Sequence, residues 1–135
     1  VRFVCDRIEN TPVSNASVVI LNLTIQFIAP EKRDAIVKEL YNGLVPGGVL
    51  LLTEKITSHA EEIRGLYESF YRDFKLENGY SELEISRKRD ALEEVLIPET
   101  LDDHRARLES AGFEPVDVWL KWFNFASILA VKPTR

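Results

Sequence analysis

The sequence has no methionine, a single cysteine and only six glycines in 135 residues. Cys5 cannot form a disulfide within the chain, which fits a reducing compartment, and we expect a cytoplasmic protein. No apolar run approaches the roughly 20 residues that span a bilayer, so no membrane partner is expected. His59 and His104 lack partners at metal-ligand spacing, and no metal site is predicted.

The chain also lacks an excess of positive charge. Its 17 lysines and arginines face 22 acidic residues, for a net charge of −5. Proteins that bind nucleic acid through its phosphates usually present a basic face, whereas this sequence clusters cations only at Arg87, Lys88 and Arg89. We therefore expect no direct nucleic-acid partner and favour a small-molecule substrate.

Apolar runs predict the strands of a sheet. Residues 1–5 are typical of a short strand, and the continuous runs 16–23 and 49–53 are typical of strands buried on both faces. Between these two runs, Pro30 marks a helix start and Gly43 a helix stop. This strand–helix–strand order predicts a parallel crossover. Pro46-Gly47-Gly48 is expected to turn the chain into the second of the two buried strands.

Three capping signatures predict three further helices. They pair Ser58 with Glu61, Ser81 with Glu84, and Thr100 with Asp103. We expect the second of these helices to reach about Leu96 and the third to close at Gly112. The first carries an apolar stripe that we assign to the core. The stripe consists of Ile63, Leu66, Tyr67, Phe70 and Phe74.

The last two apolar segments, 116–123 and 126–132, predict a closing antiparallel hairpin. The fold class is then α/β, a Rossmann-like methyltransferase fold with a mostly parallel sheet and a C-terminal hairpin. A complete fold of this kind begins with βα units that carry a glycine-rich turn and an acidic residue for ribose. No glycine here lies in such a turn. We therefore expect residues 1–135 to form one domain that lacks its first βα units and holds part of a cofactor site.

Three motifs carry a family resemblance. They are Asn22-Leu-Thr-Ile-Gln-Phe27, the polar segment 73–89 with Asn78-Gly-Tyr-Ser-Glu-Leu-Glu84, and Trp122-Phe-Asn-Phe125. With them the chain resembles the carboxy-S-adenosyl-L-methionine synthases, methyltransferase-like enzymes of a tRNA wobble-uridine modification pathway. The resemblance runs through nearly all 135 residues and corresponds to about the C-terminal two-thirds of the family's fold. It implies a homodimeric transferase that converts S-adenosyl-L-methionine and prephenate to carboxy-S-adenosyl-L-methionine.

The resemblance also implies four binding residues. Asn22, at the end of a strand, matches the family's cofactor-binding segment, although it could equally cap the following turn. Asp6 and Ile8 match the adenine contacts, with Arg7 standing where the family has its aspartate, so a solvent-facing turn is the alternative for Asp6. Arg89 matches an arginine that receives the added carboxylate, and its alternative is a surface ion pair with Glu93. No Ser-His-Asp or Cys-His set is present, so no catalytic residue is assigned.

Two other functions stay open at this point. The chain could be a conventional S-adenosylmethionine-dependent methyltransferase for a small molecule. It could also be a non-catalytic half-fold that acts as a dimer or an interaction module.

Overall fold

The computed structural model describes all residues from Val1 to Arg135. Five strands and four α-helices make up the chain. The strands are β1 (Ala16–Asn22), β2 (Leu44–Thr57), β3 (Glu99–Thr100), β4 (Val116–Trp122) and β5 (Phe125–Val131). The helices are α1 (Pro30–Gly43), α2 (Glu61–Glu77), α3 (Glu82–Leu92) and α4 (Leu101–Ala111). Short 3-10 turns occupy Ile8–Asn10 and Ile25–Phe27.

The strands form one mixed sheet in the order β1-β2-β5-β4. β1 and β2 are parallel, with Asn22 opposite Thr53, while β5 is antiparallel to both β2 and β4. The short β3 adds a parallel pairing at the far end of β2. The predicted α/β class, the parallel crossover and the C-terminal hairpin are confirmed.

The core lies on one face of this sheet, under α1 and α4. Side chains of β2 alternate between this face and the other, as the period of a strand requires. Four alternate residues of β2 are buried: Leu50, Leu52, Glu54 and Ile56. The carboxylate of Glu54 therefore occupies one position in an otherwise apolar buried row. Helix α1 contributes Ile36 and Leu40 to the same core.

Two of the three capping boxes are confirmed. The Glu84 amide donates to the Ser81 Oγ at 3.3 Å, and the Asp103 amide donates to the Thr100 Oγ1 at 3.1 Å. The box at Ser58 is wrong. Helix α2 begins at Glu61 with Ala60 as its cap residue, and the Ser58 Oγ accepts from the Ala60 amide at 3.2 Å instead.

Other boundaries depart from the sequence predictions. Residues 1–5 form no strand because no neighbouring strand edge pairs with them. Helix α3 ends at Leu92 and not near Leu96. Strand β2 starts at Leu44 and includes the Pro-Gly-Gly segment, with Gly47 at a φ of 77° beside a register shift in its pairing with β1.

Two surfaces predicted to be buried are open to solvent. Val18 and Ile20 of β1 are 55% and 65% exposed, so β1 is covered on one face only. The α2 stripe is not part of the core, since α2 has no buried residue. Phe70 and Phe74, which the sequence assigns to the core, are 46% and 40% exposed and pack against Phe123 and Trp122 of the β4–β5 hairpin. None of the helices has the length and apolar character needed to cross a membrane.

Candidate functional site

The candidate site is built around the segment that follows β1. Asn22 ends the strand, and Leu23 leaves it with a positive φ of 52° while its amide donates to the Thr53 carbonyl at 2.7 Å. The Thr24 hydroxyl donates to the Asn22 carbonyl at 3.1 Å. The Asn22 side chain makes no hydrogen bond within the chain, so the alternative of a turn cap is not seen and its amide stays available to a ligand.

A buried carboxylate of β2 fixes the backbone of this segment. Glu54 is 1% exposed and accepts three consecutive main-chain amides, from Thr24 at 3.0 Å, Ile25 at 2.8 Å and Gln26 at 3.1 Å. Gln26 strengthens the attachment by accepting the Lys55 amide at 2.8 Å. Burial raises the pKa of Glu54, and the three amide donors oppose that shift. The segment is therefore held rigidly at the carboxyl end of the sheet, where ligands bind in open α/β folds.

An open cavity of about 690 Å³ lies beside this segment. Leu23, Thr24 and Phe27 line one side of it, and Asp6 and Ile8 line the other. Asp6 and Ile8 therefore line the same cavity as Leu23, the residue that directly follows Asn22. The cavity offers apolar surface together with a carboxylate.

Asp6 also has a local structural role. Its Oδ1 accepts the Arg7 amide at 2.7 Å and the Asn10 side-chain amide at 3.2 Å, which closes the turn at residues 8–10. The Ile8 side chain is partly buried and packs against the core. The Asp6 contacts are those expected if it belongs to a solvent-facing turn, and the same residue also lies in the wall of the cavity.

Arg89 lies apart from these residues. Its side chain on α3 is 75% exposed and pairs with the adjacent Asp90 at 3.4 Å, not with Glu93. It does not line the cavity beside Asn22. Of the four predicted residues, Asp6 and Ile8 therefore line one cavity, Asn22 precedes its lining residue Leu23, and Arg89 lies on an exposed helix.

A buried ionic network supports the helices behind the site. Arg33 is fully buried, donates to the Ile28 carbonyl at 2.8 Å and pairs with Glu99 at 2.7 Å. Arg107 binds both oxygens of Glu99 at 2.7 Å each. Burial alone would raise the pKa of Glu99, but the two guanidinium groups hold it below its ordinary value. This network joins α1, α4 and β3.

Sequence reasoning missed the part that Glu54 plays. A signal for it is present, because Glu54 occupies the same alternating register as Leu50, Leu52 and Ile56. A carboxylate at such a position must find internal donors, since burying it unpaired is costly. What the sequence does not reveal is which donors it meets, as they lie 28 to 30 residues earlier.

Solved structures with the same architecture identify the fold. Human N-acetylserotonin methyltransferase in complex with SAM superposes with a TM-score of 0.63 at 21% identity, over 94% of this chain and 32% of that one. An O-methyltransferase family protein from Burkholderia thailandensis gives a TM-score of 0.65 at 13% identity, over 94% and 33%. At these identities the likeness shows the fold alone, which is that of the S-adenosylmethionine-dependent methyltransferases.

Curated relatives are much closer in sequence. The carboxy-S-adenosyl-L-methionine synthase of Desulforapulum autotrophicum is 58% identical over 132 residues, which is 98% of this chain and 53% of the relative. The synthase of Shewanella amazonensis is 50% identical over 125 residues, 93% of this chain and 51% of the relative. No protein-family model matches the chain.

The chain therefore spans about half the length of the curated relatives it matches. Over that half it is a homologue of the carboxy-S-adenosyl-L-methionine synthases, and the predicted resemblance is confirmed.

Proposed function

We propose that the chain forms part of a carboxy-S-adenosyl-L-methionine synthase. Such an enzyme moves a carboxyl group from prephenate to the methyl carbon of S-adenosyl-L-methionine and releases phenylpyruvate and water. Its product serves the modification of a tRNA wobble uridine. The observation that carries the proposal is the 58% identity to the Desulforapulum autotrophicum synthase over 98% of the chain.

The cavity beside Asn22 fits part of S-adenosyl-L-methionine. Ile8, Leu23 and Phe27 offer apolar surface for a purine ring, and the Asp6 carboxylate can accept from an exocyclic amino group. The free Asn22 amide suits the amino-acid portion of the ligand. When bound, the ligand supplies the activated methyl group that receives the carboxylate.

The fit is incomplete in one respect. None of the glycines lines this cavity, so the chain supplies no glycine-rich turn there. We therefore expect the chain by itself to bind S-adenosyl-L-methionine weakly or not at all. A low-micromolar dissociation constant from calorimetric titration of this chain would contradict that expectation.

Arg89 is assigned to the added carboxylate on the strength of its sequence context. A guanidinium can form two parallel bonds to a carboxylate, which an ordinary methyltransferase does not need. Its exposed side chain has only the neighbouring Asp90 as a partner, so it is available to an incoming anion.

The proposal includes a cytoplasmic homodimer with no direct nucleic-acid partner. Two exposed surfaces of this chain support self-association: the apolar face of β1 at Val18 and Ile20, and the apolar stripe of α2. Light scattering that gives a monomer at high micromolar concentration would argue against the dimer. Cys5 is an exposed free thiol, which suits a reducing compartment.

A chimera tests the activity directly. This chain replaces the matching half of the Desulforapulum autotrophicum synthase, and the product is measured by mass spectrometry after incubation with S-adenosyl-L-methionine and prephenate. We expect carboxy-S-adenosyl-L-methionine to form only when prephenate is present, with phenylpyruvate in equal amount. The unaltered synthase is the positive control.

Two results would overturn the proposal. A folded chimera that transfers a methyl group to an added acceptor, and forms no carboxylated product, would favour a conventional methyltransferase. A folded chimera without either activity would favour an interaction module.

A further inference from the structure

Two lysines converge on the ring of Tyr71 in α2. The ring is half-buried, and it meets Trp122 and Phe125 of the β4–β5 hairpin edge to face, at centroid distances of 6.0 and 5.1 Å. The Nζ of Lys75 lies 4.2 Å from the centre of the Tyr71 ring, and the Nζ of Lys55 lies 6.0 Å from it. One ammonium group from α2 and one from β2 are therefore held at the same aromatic side chain.

Neither of these lysines has an anionic partner. Every ion pair of the chain uses an arginine, so Lys55 and Lys75 take part in none. Arg72, which follows Tyr71 in α2, is already paired with Glu82 of α3. An aromatic ring attracts an ammonium group but does not neutralise its charge. This part of the surface therefore keeps positive charge that an incoming anion can neutralise.

A third lysine adds to this charge. Burial lowers the pKa of Lys75, and the positive charges of Lys55 and Lys88 lower it further. Burial also lowers the pKa of Lys55, and Glu68 opposes that shift without forming an ion pair. Ionisable groups that are perturbed together at one place are typical of ligand sites. We call Tyr71, Lys55, Lys75 and Lys88 the lysine cluster.

The charges of the lysine cluster indicate which anion fits it. Three ammonium groups face one carboxylate, that of Glu68, so two positive charges are left over. A phosphate monoester carries about −1.5 to −2 charges on one compact group near pH 7, whereas a carboxylate carries only one. The Tyr71 hydroxyl makes no hydrogen bond within the chain. Because burial raises the pKa of Tyr71, this hydroxyl stays protonated and can donate to a phosphate oxygen.

A nucleic acid strand fits the lysine cluster less well. Its phosphates are diesters that carry one charge each, and proteins bind a row of them with a basic face. Helices α2 and α3, which carry most of the cluster, have eight acidic residues against six basic ones. These acidic residues would repel a polyanion, while a small ligand with one phosphate group avoids them.

We propose that the lysine cluster binds the phosphate group of a small phosphate monoester, with the three ammonium groups around the phosphate and the Tyr71 hydroxyl donating to it. None of the cluster residues lines the cavity beside Asn22, so this is a separate site. It goes beyond the proposed function and does not depend on it.

The test uses phenyl phosphate as the probe and phenyl sulfate as its control, because the two have the same shape and the sulfate ester carries one negative charge less. Titrations of the full chain in about 0.1 M salt, which screens weak surface attraction, are followed by amide NMR shifts. We expect phenyl phosphate to shift the resonances of the lysine cluster. Phenyl sulfate should bind about fivefold more weakly, the effect of one unit charge at about 4 Å in water. Phenylmalonate, whose charges lie on two separate carboxylates, should also bind more weakly than phenyl phosphate.

Charge-changing variants locate the site. Lys75→Gln should weaken phenyl phosphate binding about fivefold, and Lys75→Arg should retain most of it because the charge is kept. Glu68→Gln should strengthen binding about two- to threefold, because it removes the opposing carboxylate. Lys32→Gln and Glu39→Gln are the matched controls, since they make the same changes at exposed positions of α1. Each control should change the affinity by less than about twofold.

Several results would overturn the site. They are absence of phenyl phosphate binding, equal or tighter binding of phenyl sulfate or phenylmalonate, and equal losses in Lys75→Gln and Lys32→Gln. Tighter binding of a single-stranded RNA oligonucleotide to the same residues would assign the cluster to nucleic acid instead. Thermal melting checks that each variant is folded. No S-adenosyl-L-methionine is present in this assay, so its failure is separate from failure of the chimera to carboxylate.

Discussion

The Ile25 amide donates to the Glu54 carboxylate across 2.8 Å, and this contact joins the segment after β1 to the middle of the sheet. Both residues are almost fully buried. The neighbouring amides of Thr24 and Gln26 bind the same carboxylate. The segment that we assign to ligand binding is therefore shaped by a residue that does not line its cavity.

Glu54→Gln should destabilise the fold. The glutamine oxygen cannot replace both carboxylate oxygens, and its NH₂ group would face a main-chain donor. We expect a loss on the order of 1–3 kcal/mol in the free energy of unfolding. Urea unfolding followed by circular dichroism measures it.

Glu94→Gln is the control for the Glu54 experiment, because Glu94 is exposed. It should change stability by less than about 0.5 kcal/mol. Equal effects of the two substitutions would show that the amide contacts of Glu54 contribute little. In the chimera, Glu54→Gln should also weaken S-adenosyl-L-methionine binding, because the cavity wall loses its support.

Arg89→Ala in the chimera should separate the two forms of the ligand. If Arg89 binds the added carboxylate, the dissociation constant of carboxy-S-adenosyl-L-methionine should rise about thirtyfold, equivalent to roughly 2 kcal/mol. S-adenosyl-L-methionine lacks that carboxylate and should bind nearly as before. Arg89→Lys should restore only part of the affinity, since an ammonium keeps the charge but not the paired geometry. Calorimetry with both ligands makes the comparison.

Arg87→Ala provides the matched control for Arg89, because it removes the same charge from the same helix. It should leave the affinities of both ligands within about twofold. Equal losses for the two ligands in Arg89→Ala, or none, would return Arg89 to the role of a surface cation.

His104 should make the stability of the fold depend on pH. The side chain is 2% exposed, and burial lowers its pKa from 6.5 to about 4, so the folded protein keeps it neutral. The unfolded chain takes up this proton below about pH 6.5, whereas the folded chain does so only near pH 4. Stability from this group is therefore complete above pH 6.5 and is lost as pH falls toward 4, by on the order of 3 kcal/mol.

His104→Leu isolates this contribution. The charged groups around the imidazole are present in both proteins, so their own contributions cancel in the difference. They are Glu99, Asp103, Arg33 and Arg107. The difference in unfolding free energy between wild type and variant, measured by urea titration from pH 7.5 to 4, should change with pH only in the window from 6.5 to 4. A constant difference would mean that His104 is protonated in the folded state as readily as in the unfolded state. His59 is exposed, and we expect the unfolding free energy of His59→Gln to match that of the wild type across the same pH range.

Short sequence signals correctly predicted those helix ends that are set by residues within one turn. Pro30 starts α1 and Gly112 ends α4 because their backbone preferences act within one turn. The Ser81 and Thr100 boxes form for the same reason. Ser58 has an identical pattern but fails, since the chain there is still leaving β2 and the helix begins three residues later.

Burial was harder to predict because it depends on what packs against each face. The β1 run gave the strand correctly, yet Val18 and Ile20 meet no second layer in this chain. The apolar stripe of α2 likewise predicted the helix correctly, but it did not predict that the stripe would be exposed to solvent. For the site, the sequence correctly predicted Asn22 at the end of a strand. The hydrogen bonds that Glu54 accepts come from residues far away in the sequence, and no local motif encodes them.

Two glycine substitutions should change stability in opposite directions. Gly112 ends α4 with a φ of 109°, and a Cβ there would lie 2.9 Å from the Tyr41 ring, so Gly112→Ala combines backbone strain with a steric clash. We expect it to lower the free energy of unfolding by more than about 1 kcal/mol. Gly65 lies inside α2, and an added Cβ would meet nothing within 4 Å, so Gly65→Ala should raise stability by roughly 0.5–1 kcal/mol through helix propensity and reduced unfolded-state entropy. Urea unfolding of the two variants beside the wild type measures both effects. A destabilised Gly65→Ala would show that α2 needs a glycine for close approach by another surface, such as a second copy of the chain.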